Sequence, residues 1–172
     1  MDRTIPGQAI DADHSLDLIN GTRWTLGEQS HDWRMIVMYR GLHCPICKKQ
    51  LSELAAMLND FAHADVAVVA ASMDTEERAQ KAFDDWDLGA LPIAYEVSED
   101  MAKSFGLYLS DSIKDDEPKR FCEPAILLFK ENTLHAAWIQ SLPFARPSFK
   151  DVLSGINFSQ EKGYPARGTV TH

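Results

Sequence analysis

Two cysteines separated by two residues lie between an apolar strand and an amphipathic helix, and this feature constrains the fold most. Residues 35–39 form a continuously apolar run, the pattern of a strand buried on both faces of a sheet. A turn at 40–43 leads to the motif Cys44-Pro45-Ile46-Cys47. Apolar residues then recur at steps of 4, 3, 4 and 3, which predicts a helix with one buried stripe. The stripe comprises Cys47, Leu51, Leu54, Leu58 and Phe61.

The spacing of Cys44 and Cys47 suits a reversible disulfide. Cysteines at i and i+3 in the first turn of a helix have Cα atoms about 5–6 Å apart, which is within bonding reach. Pro45 suits that turn, and the unpaired N–H groups at a helix start lower the pKa of a nearby thiol. Four side chains are expected to add positive charge beside the pair: His43, Lys48, Lys49 and Arg40. The motif therefore favours redox chemistry by a thiolate.

The cysteines also leave other interpretations open. In a non-catalytic binding module they would be structural, or they would hold zinc with His43 and Cys122 completing four ligands. Three cysteines are too few for a disulfide framework, so redox chemistry without a metal or cofactor is the favoured interpretation. Cys122 is a third redox partner or, as we favour, an inert buried thiol.

The rest of the pattern predicts one α/β domain over residues 1–172. Asn20-Gly21 predicts a β-hairpin within an N-terminal extension, residues 1–30. Strands are expected at 66–72, 93–97, 125–129 and 134–139, alternating with helices around a mixed central sheet.

Local signals set the expected element boundaries. Asp74 with Glu77 predicts the cap of the second helix, and Pro147 the start of the last one. Residues 107–123 are charged and are expected to form a loop insertion, and residues 158–172 a C-terminal tail.

Charge and hydropathy exclude two classes of partner. The chain has 172 residues, a net charge of −9 and no basic run, which argues against nucleic acid. The longest apolar runs are strand-sized, well short of the ~20 residues that cross a bilayer. Because the N-terminus also lacks the apolar core of a signal peptide, we expect a cytoplasmic protein.

The motif and its surroundings resemble two related groups of proteins. The order of strand, CPIC and helix looks like thioredoxin-fold proteins, and Glu123-Pro124 before an apolar strand is similar to their segment whose proline is cis. The hairpin, the run 38–41 and the insertion 107–123 resemble the peroxiredoxins of the alkyl hydroperoxide reductase and thiol-specific antioxidant (AhpC/TSA) group. The resemblance implies a thioredoxin-like three-layer α/β/α sandwich with an N-terminal hairpin extension, and a cis bond before Pro124.

The same resemblance implies an activity. A peroxiredoxin-like enzyme would reduce peroxides through a Cys44/Cys47 dithiol–disulfide cycle, reset by a thioredoxin-like protein or glutathione, and dimers are common in such families. The alternative is a thioredoxin-like disulfide oxidoreductase that acts on a disulfide substrate. By thioredoxin analogy Cys44 attacks first, and by peroxiredoxin analogy Cys47 attacks the peroxide.

The chain departs from the peroxiredoxin pattern at three positions. The family's Pro, Thr and peroxidatic Cys would fall on Arg40, Cys44 and Cys47, so only the last is kept. The family's peroxide-holding Arg would fall near Glu123, a reversal of charge. Arg40 or Arg120 is the expected substitute.

Overall fold

The computed structural model describes residues 3–171 and contains nine strands and five α-helices within them. The strands are β1 (Ser15–Asp17), β2 (Arg23–Thr25), β3 (Trp33–Met38), β4 (Val66–Ala71), β5 (Ile93–Ala94), β6 (Leu109–Asp111), β7 (Arg120–Cys122), β8 (Ala125–Lys130) and β9 (Thr133–Ile139). The helices are α1 (Pro45–Ala56), α2 (Leu58–His63), α3 (Glu76–Trp86), α4 (Glu99–Ser104) and α5 (Phe149–Lys162), and a 3-10 turn spans Leu26–Glu28. None of the described helices is long and apolar enough to cross a membrane.

Five strands form the central sheet, in the order β5-β4-β3-β8-β9. Strand β3 runs parallel to β4 and antiparallel to β8, with Met38 opposite both Ala71 and Ala125. The sheet is therefore mixed, as expected from the sequence. Because β3 is its middle strand, the turn that follows Met38 carries the two cysteines out from the centre of the molecule.

Each face of the sheet has its own apolar cluster. Side chains alternate along β3, so that Met35 and Val37 point to one face and Ile36 and Met38 to the other. The first face packs against buried residues of α1, α3 and α5, and the second against α4 and the β1–β2 hairpin. The result is the expected three-layer arrangement, with α1 and the cysteines on the first face.

Several predicted elements are confirmed with small shifts of their ends. The hairpin around Asn20-Gly21 forms with Leu16 opposite Trp24. Ser98 caps α4 through its side chain. The helix after the cysteines breaks at Met57, whose N–H bonds to the carbonyl of Leu54, so the single predicted stripe is shared by α1 and α2.

Three expected boundaries are wrong. Residues 107–123 are not a loop throughout, because β6 and β7 pair within them as an antiparallel hairpin, with the irregular residues 112–119 between the two strands. The last helix begins after its cap Ser148 rather than at Pro147. It continues to Lys162, so the first part of the predicted 158–172 tail is helical.

Two further local expectations are also wrong. Thr75, rather than Asp74, caps α3 through its side chain, which accepts the Arg78 backbone N–H. The bond before Pro124 is trans, because residues 3–171 contain no cis peptide bond. The Pro124 carbonyl accepts the Gln140 N–H at 3.0 Å and so fixes the end of β9 to the start of β8.

Candidate active site

The two cysteines lie at the first turn of α1. Cys44 is the N-cap residue and Pro45 is the first residue of the helix. The Cys44 sulfur accepts a hydrogen bond from the Cys47 backbone N–H at 3.2 Å, in the place of a capping oxygen. Cys44 is 2% exposed and Cys47 is fully buried, and both are free thiols.

One guanidinium group contacts both sulfur atoms. Arg146 Nη2 lies 3.4 Å from the Cys47 sulfur and 3.7 Å from the Cys44 sulfur, and Nη1 lies 3.5 Å from that of Cys47. Two further bonds hold the group: Nε donates to the Pro143 carbonyl and Nη1 to Gln50 Oε1, each at 2.7 Å. The cation that faces the thiols is therefore fixed from its own loop and from α1.

The surroundings place a single negative charge on the pair. A hydrogen bond from the Cys47 thiol, its backbone N–H and Arg146 lower the pKa of Cys44 to about 5, although burial works against this. Burial raises the pKa of the Cys47 thiol, and the neighbouring Cys44 adds to the effect. Cys44 is therefore the thiolate at neutral pH, and Cys47 keeps its proton and donates it toward Cys44.

A second cation lies on the Cys44 side. Arg40 Nε is 3.0 Å from Glu123 Oε2, as an ion pair rather than an aligned hydrogen bond, and the guanidinium lies 4.8 Å from the Phe121 ring centroid. Burial lowers the pKa of Arg40, but Glu123 and Cys44 outweigh it and raise that pKa. Ser110 Oγ donates to the other Glu123 oxygen at 2.8 Å. The Glu123 carboxylate therefore orients Arg40.

The backbone before the motif also contacts the inner thiol. The Arg40 N–H donates to the Cys47 sulfur at 3.4 Å. Together with Arg146, it gives Cys47 donors that can hold a thiolate once Cys44 has lost its charge.

His43 does not supply the positive charge expected of it. Its ring lies 4.7 Å from the Phe121 ring, and its two nitrogens have no hydrogen-bond partner within the described residues. Burial, followed by the charge of Arg40, lowers its pKa, so the imidazole is neutral at neutral pH. Lys48 and Lys49 are exposed.

The structure brings several of the expected residues together and leaves others apart, among them Arg120 and Cys122. Cys44, Cys47, His43, Pro45, Arg40 and Glu123 form one site. Arg120 is not the substitute cation, because it pairs with Asp111 at 2.8 Å and Glu99 at 3.2 Å on the surface. Cys122 belongs to the apolar cluster on the other face of the sheet and donates to the Glu123 carbonyl.

Burial raises the pKa of Cys122 to about 12, so this thiol is not a nucleophile at neutral pH. No group of three or more His, Cys, Asp or Glu side chains in residues 3–171 is arranged to hold a metal.

Arg146 and Gln50 are site residues that were not predicted from the sequence. Arg146 is 99 positions from Cys47 and lies in the irregular segment 140–148, where no periodic signal connects it to the motif. Gln50 did carry a signal, because it follows Cys47 by three residues and therefore shares its helix face.

Comparisons with known proteins bear on the family and the fold of the chain. The model of the AhpC/TSA family matches residues 7–136. A search among curated protein sequences gave no match. Arg146 lies outside the matched range, so its position comes from the structure alone.

Solved structures share the fold at low sequence identity. A mutant of PrxQ from Xylella fastidiosa is 16% identical with a TM-score of 0.76, over 93% of this chain and 99% of that one. AhpC from Enterococcus faecalis is 16% identical with a TM-score of 0.75, over 93% and 96%. Peroxidoxin BcpB from Mycobacterium tuberculosis is 15% identical with a TM-score of 0.70, over 94% and 99%. The expected thioredoxin-like fold is thereby confirmed.

Proposed function

The chain belongs to the AhpC/TSA family, and from this premise we propose that it is a thiol-dependent peroxidase in which Cys44 and Cys47 cycle between dithiol and disulfide. One observation carries the proposal: a single fixed guanidinium donates to both sulfurs of a closely spaced cysteine pair. A cation so placed stabilises a thiolate before the reaction and the charge that develops on a peroxide oxygen during it.

Cys44 is the attacking thiol in this proposal. Its sulfur is the thiolate of the pair and keeps a small exposed fraction, whereas Cys47 is fully buried. The Cys44 sulfur attacks the terminal oxygen of the peroxide, an S–O bond forms and the O–O bond breaks. The departing alkoxide or hydroxide takes the proton of the Cys47 thiol, and Cys44 is left as a sulfenic acid.

The second step closes the disulfide. The new Cys47 thiolate, supported by Arg146 and the Arg40 N–H, attacks the Cys44 sulfur. An S–S bond forms and hydroxide leaves, to be protonated by solvent. A thioredoxin-like dithiol or glutathione then returns two electrons and restores both thiols. We place this cycle in the cytoplasm, where thiols are kept reduced, and family precedent favours a homodimer.

Peroxide consumption by the reduced protein tests the proposal. We expect rapid oxidation of wild type by hydrogen peroxide and by an organic hydroperoxide, and no turnover by Cys44→Ser or Cys47→Ser. Cys122→Ser is the matched control, because its thiol lies across the sheet, and it is expected to keep the wild-type rate. Background rates with both peroxides for wild type would contradict a peroxidase.

A second candidate function is exchange with protein disulfides. An outer thiolate at the helix cap and an inner protonated thiol also suit attack on a disulfide, and Cys44 occupies the position of the family's Thr. Reduction of a model protein disulfide by the dithiol form tests it. Exchange at a high rate together with background peroxide rates would favour this candidate over the peroxidase.

A further inference from the structure

Asp74 has no role in helix capping, and its carboxylate faces the turn that precedes the cysteines. Its side chain is fully buried. Oδ2 accepts the Leu42 backbone N–H at 2.8 Å, and Oδ1 pairs with Arg78 Nε at 3.0 Å. The Asp74 backbone N–H donates to Ser72 Oγ at 3.2 Å, which fixes the residue itself. A buried carboxylate with two charge-assisted partners is a strong and directional anchor.

Gly41 lies directly on this carboxylate. A Cβ at Gly41 would stand 2.8 Å and 2.9 Å from the two Asp74 oxygens, and its φ of +139° is one that L side chains rarely adopt. The Gly41 carbonyl in turn accepts the Cys44 backbone N–H at 3.1 Å. A continuous path of contacts therefore runs from Asp74 through the turn to the backbone of Cys44.

Arg78 connects the Asp74 carboxylate to the β6–β7 hairpin. Its Nη2 donates to the Asp116 carbonyl at 3.3 Å, at the tip of the β6–β7 hairpin. That hairpin carries Phe121, against which Arg40 and His43 pack. The start of α3 thus holds both the turn before the cysteines and the hairpin beside them.

We propose that Asp74 is a positioning residue that, through Leu42 and Gly41, holds Cys44 in its N-cap geometry. The inference rests on the proposed function only in taking Cys44 as the reactive thiol. Asp74 does not touch the sulfurs, and it acts by keeping the Cys44 thiolate within reach of the Cys47 N–H and Arg146.

The direction of the Cys44 pKa change separates positioning from a charge effect. The groups that face the Cys44 thiol are Cys47, Arg146, Arg40 and His43. If Asp74 acted only as a nearby anion, its neutralisation would lower the thiol pKa. If it positions the turn, its loss weakens the N-cap hydrogen bond and the contact with Arg146, and the thiol pKa rises.

The pH dependence of alkylation at Cys44 in the full-length reduced protein measures this directly. In Asp74→Asn the side-chain NH2 group must face one of two donors, the Leu42 N–H or Arg78, so one of these hydrogen bonds is lost. We therefore expect the Cys44 pKa to rise by about one unit. Arg78→Gln keeps the Asp74 carboxylate but removes its ion pair, so a smaller rise of the Cys44 pKa is expected. This second variant keeps the inference testable even if Asp74→Asn folds poorly. Asp85→Asn makes the same change at an exposed ion pair of α3, and this matched control is expected to leave the Cys44 pKa unchanged. An unchanged or lower pKa in both test variants would overturn the inference.

A double-mutant cycle tests the contact with Gly41. Gly41→Ala is expected to raise the Cys44 pKa in wild type and to raise it less in an Asp74→Ala background, because the atoms that the methyl group would meet are gone. Equal effects in the two backgrounds would contradict the proposed path. Neither readout depends on peroxide turnover, so failure of the peroxidase proposal and failure of this inference give different results.

Discussion

At the residue scale, the chemistry depends on which of the two cysteines keeps its proton. A hydrogen bond from the Cys47 thiol, with the Cys47 backbone N–H and Arg146, lowers the pKa of Cys44, whereas burial raises that of Cys47, so identical side chains three positions apart take different roles. The spacing and the helix start could be predicted from the sequence, because both are local. The cation could not, because Arg146 reaches the sulfurs through a tertiary contact from the segment 140–148.

We expect Arg146→Ala to slow oxidation of the protein by peroxide about 10- to 100-fold, since it removes the donors that both sulfurs share. Gln50→Leu leaves Arg146 in place but removes the 2.7 Å hydrogen bond that holds it, so a smaller decrease of the oxidation rate is expected. Stopped-flow oxidation measures both. Arg120→Ala is the control, because that guanidinium is engaged on the surface. A wild-type rate in Arg146→Ala would show that the contact is not used.

The alkylation rate of the reduced protein is expected to follow the protonation of Cys44. Because the folded-state pKa of about 5 lies below the ordinary thiol value of about 8.5, the rate should be maximal above pH 6 and fall as pH drops through 5. Unfolded protein should instead lose reactivity as pH drops through about 8.5. Mass spectrometry of the labelled site measures both curves. A folded-state midpoint near 8.5 would contradict the lowered pKa.

At the element scale, the β6–β7 hairpin forms one wall of the site. Its strands have three residues each, too few for an alternating pattern, and charged residues dominate the connection. Burial of Phe121 and Cys122 against the rest of the protein stabilises it, and this information is not local. For the same reason the sequence suggested a loop at 107–123.

Phe121→Leu is expected to reduce the rate of oxidation by peroxide several-fold, because Arg40 and His43 lose the ring against which they pack. The interaction of a cation with a ring is worth about 0.5–2 kcal/mol. Tyr108→Leu, an exposed ring just before the same hairpin, is the matched control and should have no effect. Equal rates in the two variants would show that the hairpin does not support the site.

At the scale of the whole molecule, an acidic chain concentrates two half-buried arginines at one end of its central strand. The net charge is −9, yet Arg40 and Arg146 both face the cysteine pair. The fold and the family could be predicted, because the motif, the order of elements and the apolar strands are all carried by the sequence. Arg146 and the Asp74 anchor could not, since each depends on how distant segments pack.

Sulfenic acid formation in variants that keep only one cysteine of the Cys44/Cys47 pair tests directly which thiol attacks the peroxide. Reduced Cys47→Ser is treated with one equivalent of hydrogen peroxide, with Cys44→Ser treated in parallel, and intact mass is followed by mapping of the modified residue. If Cys44 is the attacking thiol, Cys47→Ser gains one oxygen on Cys44 while Cys44→Ser remains unmodified over the same time. Oxygen gained at Cys47 in Cys44→Ser, with Cys44 unreacted in the other variant, would contradict that role of Cys44.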